Sequence, residues 1–261
     1  MMGSARARIG VRLVTVLGLL LMYVPLVVLV FGSFRTAPPD VPAWTLDWYR
    51  KALTDPAVLR ALGLSLWVGA WTFLGSALIG LLAALAIVRT RFPGRKVLDA
   101  LTHVPLVLPE IVQGLSLLVW FVALHWVLGS VSIVLAHITF SVSYVVLTVK
   151  ARLETFDETL EEAARDLGAS AWQTFRFVTF PLIGPAVLSG GVMAFTLSFD
   201  DFLMTFFTSG PGSETLPLRI YAMVKFGVSP EIHALSTLLL GATALLVAWV
   251  FRPSSSPVHK G

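Results

Sequence analysis

Two adjacent carboxylates between two phenylalanines, Phe199-Asp200-Asp201-Phe202, are the side chains here best suited to meet a cation. They close an apolar run that begins near Leu182 and is long enough to cross a bilayer. A carboxylate in that setting is costly unless it faces water or a partner, so the pair should line a water-filled path. Glu110, at the start of another apolar run, is a third acid of this kind. Phe199, Phe202, Trp44 and Trp48 could add cation–π contacts to a bound amine. The alternative is that the aspartates only cap helix ends at an interface. Other chemistry is poorly provided for. No G-x-x-x-x-G-K-[ST] phosphate loop is present, and there is no cysteine. The five histidines are scattered; His103, His125 and His137 read as packing or interfacial hydrogen-bonding residues. No catalytic residue, metal site or cofactor is expected in this chain.

The second chemical feature is an acid-rich block, Glu158 to Asp166, followed by Gly168 and an aromatic run ending at Pro181. Thr155-Phe-Asp-Glu158 fits a capping box that would open a helix. From there Phe156, Leu160, Ala163, Ala164 and Leu167 form one apolar stripe. Glu161 and Arg165 form an i,i+4 pair on the opposite face. Gly168 suits the left-handed residue that ends a helix. Ser170-Ala-Trp-Gln173 repeats the capping pattern and predicts a second helix, stopped by Pro181.

The elements that must position these residues are apolar helices. Apolar residues make up 56% of the chain and charged ones 13%, with a mean hydropathy of +0.84. Soluble domains carry about twice that share of charge. An all-α polytopic membrane protein follows, with six spans at about 13–34, 61–88, 106–126, 129–149, 182–202 and 232–251. The first is too long for a cleaved signal. The third is the least regular, with Pro105, Pro109, Glu110 and Gln113 near its start. With both termini inside, 13 of the 19 Lys and Arg residues lie on the inner side and 6 on the outer, as the positive-inside rule favours. Residues 150–181 then form the longest cytoplasmic loop, and Glu110 falls toward the inner headgroups. Residues 1–252 read as one domain and 253–261 as a flexible tail. The basic balance reflects topology, with no nucleic acid implied.

The string Glu162-Ala163-Ala164, Gly168, Val178-x-Phe180-Pro181 resembles the signature loop of binding-protein-dependent ABC importer permeases: Glu-Ala-Ala, three residues, Gly, nine residues, Ile-x-Leu-Pro. Val178 and Phe180 are mild departures. "PLIGPAVLSGGVMAFTLSFDDF" and "TLPLRIYAMVKFGVSPEIHALSTLL" resemble the second permease of spermidine/putrescine-type importers. Ser143 stands where that group has proline, and Gly63 where it often has Asn.

The resemblance implies a six-helix type I importer fold and no enzymatic activity. It makes Glu162, Ala163, Ala164, Gly168 and Pro181 the coupling segment for an ATP-hydrolysing partner. It favours a substrate-path role for Asp200 and Asp201, with Phe199, Phe202 and Glu110 as the further candidates their chemistry suggests. The implied partners are a second permease, two ATP-binding subunits that hold ATP and Mg, and an external binding protein. That protein would dock on residues 35–60 and 203–231. The implied location is a bacterial-type inner membrane. Polyamines are the implied cargo; ferric ion, phosphonate and opine remain alternatives. A secondary transporter driven by an ion gradient is the rival class, but no inverted repeat of the kind such proteins carry is visible.

Overall fold

The computed structural model describes residues 2–35 and 44–250, with side chains described for 10–35 and 44–245. The predicted tail, 253–261, and residues 36–43 of the 35–60 segment lie outside them. The described residues are helical apart from turns and one isolated bridge, Arg35 to Trp44. In chain order the helices are α1 (Met2–Gly32), α2 (Asp47–Thr54), α3 (Pro56–Arg89), α4 (Arg95–Val107), α5 (Glu110–Ala123) and α6 (Ser130–Glu154). There follow α7 (Thr159–Asp166), α8 (Ala171–Thr174), a π turn (Phe175–Thr179), α9 (Phe180–Asp200), α10 (Leu203–Thr208), α11 (Leu216–Lys225) and α12 (Pro230–Val250). Among the described residues four helical stretches are long and apolar enough to span a membrane, and the α4–α5 pair could add a fifth. The sixth predicted span corresponds to α12.

Two compact units contain these elements: Met1–Leu59 with Ile220–Gly261, and Arg60–Arg219. In the first, Pro230 opens α12, and the Ser229 carbonyl accepts from the Ile232 and His233 amides. Lys51 of α2 pairs with Glu231 at 2.6 Å, and Trp48 donates to the Arg35 carbonyl at 3.0 Å.

The second unit holds both chemical features. Its core joins α3, α6 and α9 through Leu81, Ala84, Ile87, Val145, Val146, Val149, Ile183 and Ala194. Small residues let the backbones close. A Cβ added at Gly80 would lie 2.6 Å from Val145 Cβ, and one at Gly190 would lie 3.0 Å from Val145 Cα. Without a hydrophobic drive between helices in lipid, such close packing is what holds them.

The third predicted span, 106–126, is not a single helix. Leu108 and Pro109 are extended, and α4 meets α5 at 112°. Pro109 supplies no N–H and disfavours helical backbone at Leu108. Gln113 Nε2 donates to the Pro105 and Leu108 carbonyls, both at 2.9 Å, answering carbonyls that the break leaves open.

Candidate functional site

At its C-terminal end α9 stops at Asp200, and Asp201 is extended. The Asp201 carboxylate turns back on α10. It accepts from Met204 N at 3.2 Å, Thr205 N at 2.8 Å and Thr205 Oγ1 at 3.0 Å. His137 of α6, wholly buried, places Nε2 3.0 Å from Asp201 Oδ2 and Nδ1 2.7 Å from Ser198 Oγ. Ser198 in turn bonds Thr72 of α3 at 3.3 Å. One polar cluster therefore ties α3, α6, α9 and α10 together, and buried polar groups that answer one another in this way fix a unique packing.

His137 packs and hydrogen-bonds, but its pairing with Asp201 is what sequence reasoning missed. The signal was its register: Ile133, His137, Ser141, Val145 and Val149 recur every four residues and are all fully buried. A polar ring on that face needs a polar partner across the interface.

Beside the cluster lies a pocket of about 350 Å³ lined by Glu110, Thr196, Leu197, Asp200, Asp201, Phe202 and Leu203. The three predicted acids are thus brought together. Glu110 and the aspartates therefore lie at one end of α9 and not at opposite faces of the membrane. The break at Leu108–Pro109 sets Glu110 at the start of a new helix, next to the end of α9 remote from α7. Asp201 also does what the capping alternative expected, while Asp200 is exposed toward the pocket. Phe202 lines the pocket and tilts against Phe206, whereas Phe199 stacks on Phe195 at 6.0 Å. Trp44 and Trp48 belong to the other unit, where Trp44 lies against Phe31 and Phe34. Among the described residues no three His, Asp or Glu side chains could hold a metal ion.

At the opposite end of α9 the acid-rich block forms a helix–turn–helix. The Thr155 capping box does not form. Thr155 Oγ1 bonds back to the Arg152 carbonyl and closes α6, which runs further than predicted. Asp157 opens α7 instead, accepting from Thr159 Oγ1 at 2.7 Å and Thr159 N at 3.0 Å. Those bonds hold the Asp157 carboxyl below the usual carboxylate range. Gly168 has φ +88°, with Gly168 N on Arg165 O and Ala169 N on Ala164 O. This pair of bonds defines a Schellman C-terminus. The second capping box forms, Ser170 N donating to Gln173 Oε1 and Gln173 N to Ser170 Oγ. Pro181 does not stop the chain. The π turn carries α8 directly into α9, whose first turn holds the proline.

Most of the apolar stripe is turned outward. Phe156 is buried, but Leu160 and Ala163 are exposed, and Leu167 is 90% exposed. The inward residue of α7 is Glu161. Arg89, at the end of α3, turns the helix: its guanidinium requires an acid, and the apolar side is left outward. Glu162 and Pro181 are exposed and Ala164 is half-buried. Trp172 and Phe177 extend the exposed apolar surface. An apolar patch on this scale marks a surface for another protein or for lipid.

A polytopic helical chain with an acidic pocket at one end of a span and an exposed helix–turn–helix at the other is built as a transport subunit. The family description "Binding-protein-dependent transport system inner membrane component" matches residues 76–252, and the chain belongs to that family. It is 40% identical over 247 residues to the putrescine transport system permease protein PotI of Escherichia coli (strain K12), covering 90% of this chain and 88% of that one. It is equally 40% identical over 228 residues to the spermidine/putrescine transport system permease protein PotC of the same strain, covering 87% and 86%. The sulfate transport system permease protein CysT, also of that strain, is 31% identical over 250 residues, covering 88% of each. A bacterial ABC transporter that imports the acidic polysaccharide alginate shares the fold, with TM-score 0.67 at 15% identity over 94% of this chain and 95% of that one. The chain is an inner-membrane permease subunit of an ABC importer.

Proposed function

We propose that this subunit imports polyamines, and that Glu110, Asp200 and Asp201 line the path that receives them. The observation that carries the proposal is the pocket these three acids share, which no Lys or Arg lines. A di- or polyamine supplies spaced ammonium groups, each able to answer a carboxylate, with Phe202 offering an aromatic face. The relatives named for putrescine and spermidine support the same cargo. A sulfate dianion would meet an acidic lining with no Lys or Arg to answer it, which disfavours the cargo of the sulfate relative.

In this proposal both termini and the α7–α8 segment are cytoplasmic. The segment Glu162-Ala163-Ala164 to Gly168, with Pro181 at the head of α9, docks on an ATP-hydrolysing subunit that binds ATP and Mg. Its outward apolar residues, Leu160, Ala163 and Leu167, are available for that contact. A second permease, a second ATP-binding subunit and an external binding protein complete the assembly. The binding protein meets residues 35–60 and 203–231. ATP binding drives the two coupling helices together and opens the path outward.

The test is uptake into liposomes by the reconstituted assembly, with labelled putrescine, spermidine and sulfate compared. ATP-dependent, saturable uptake of a polyamine is expected. Uptake of sulfate with none of either polyamine would overturn the cargo.

A further inference from the structure

We infer that Glu161 is the junction through which movement of α7 reaches two spanning helices at once, Arg89 passing it to α3 and Thr179 to α9. The inference rests on the ATPase-coupling role proposed above. A single carboxylate makes both links: Glu161 Oε1 lies 3.2 Å from Arg89 Nη2 and accepts a 2.7 Å bond from Thr179 Oγ1. Arg89 is the last residue of α3, and Thr179 the last of the π turn that runs into α9. The same guanidinium is gripped twice more by the segment that opens α7. Its Nη1 bonds Glu158 at 2.6 Å, and it lies 5.0 Å from the centre of the Phe156 ring.

Three physical points make this more than a surface ion pair. The Arg89 and Glu161 side chains are only 20% and 11% exposed, so water and salt screen them less than a surface pair. A guanidinium holding two carboxylates through separate N–H groups is directional as well as strong. And α7 has eight residues, too few to hold its place by helix propensity. Among the described residues nothing covers its outer face, where Leu160, Glu162, Ala163 and Leu167 are exposed. The polar links on its inner face therefore set its position.

The backbone route from α7 to α9 passes through the Gly168 turn, four-residue α8 and the π turn, whose wider ladder is the least regular stretch of helix in that route. The Glu161–Thr179 bond spans that route directly. A push received on the outer face of α7 would deform the connecting turns if these bonds were absent. With them, it moves the ends of α3 and α9.

The assembly in liposomes, with partner permease, ATP-binding subunits and binding protein, gives putrescine imported and ATP hydrolysed. Their ratio reads coupling independently of how much complex is folded. Arg89→Ala and Glu161→Gln should still co-purify the ATP-binding subunits and hydrolyse ATP, with the ratio falling about tenfold, the scale on which residues along a coupled route act. Thr179→Val should lower it about threefold. The double reversal Arg89→Glu with Glu161→Arg should regain most of what either reversal alone loses, which a general folding defect would not do. An unchanged ratio in Arg89→Ala and Thr179→Val, or a double reversal no better than the single ones, would overturn the junction. If Arg89→Ala fails to assemble, Arg89→Lys keeps the charge without the fork and must lower the ratio. A wild-type assembly that hydrolyses no ATP refutes the coupling role itself. Wild type and variants coupling alike refutes only the junction.

Discussion

The two ends of α9, separated by roughly 30 Å of helix at 1.5 Å per residue, each carry a buried carboxylate held in opposite ways. Glu161 is matched in charge, with Arg89 at 3.2 Å and Arg165 at 3.5 Å. Asp201 is held by His137, two amides and a hydroxyl, and two more acids, Asp200 and Glu110, share the adjoining pocket. The first end has its counter-charges within the chain and its apolar residues turned outward. It is suited to being pushed by another protein. The second end leaves negative charge without an answering cation among the residues that line its pocket, and is suited to a cation that arrives and leaves.

Substitutions can break or sharpen that contrast. The largest effect is expected from Asp201→Ala, which leaves two amides and His137 without their acceptor. A loss of about 3 kcal/mol should appear in the thermal unfolding of the purified assembly, together with loss of uptake. Glu161→Ala strips Arg89 of one of its two acids. Partial exposure and the remaining Glu158 bond limit the cost to about 2 kcal/mol, read in the same unfolding measurement. Gly168→Ala forces a Cβ into φ +88° at a cost of about 1 kcal/mol. Open space around the position leaves strain as the only cause. Gly168→Asp should abolish transport and weaken ATPase association. Asp200→Asn and Leu167→Ser should each change stability by less than about 0.5 kcal/mol, since both are exposed. They should separate in function. Asp200→Asn lowers uptake at limiting putrescine while the ATP-binding subunits stay bound. Leu167→Ser weakens that association.

Two features set by neighbours in sequence were legible before the fold was, while the Thr155–Glu158 box, equally local, gave way to the continuation of α6. Gly168 and the Ser170–Gln173 box take the form their local chemistry requires, because each is complete within a few residues. The break at Pro109 was half legible: the prolines and Gln113 marked an irregular start, but the 112° turn depends on where α5 packs. The orientation of α7 was not legible. Its apolar period marked a stripe without fixing which way it faces, and the deciding residue, Arg89, lies 72 positions from Glu161. The partners of His137 were missed for the same reason, since Ser198 and Asp201 lie 61 and 64 positions away. Charge pairing across distant segments leaves no local pattern.

The division between a driven end and a cation-receiving end is tested most directly by one paired measurement in liposomes, ATP-dependent putrescine uptake recorded with ATP hydrolysis for Asp200→Asn and Leu167→Ser. If the two ends divide the work in this way, Asp200→Asn keeps its bound ATP-binding subunits and loses uptake at limiting putrescine, regaining it at high concentration. Leu167→Ser loses bound ATP-binding subunits and hydrolysis, and its uptake is not rescued by substrate. Identical behaviour of the two variants, or wild-type behaviour of both, would contradict the division.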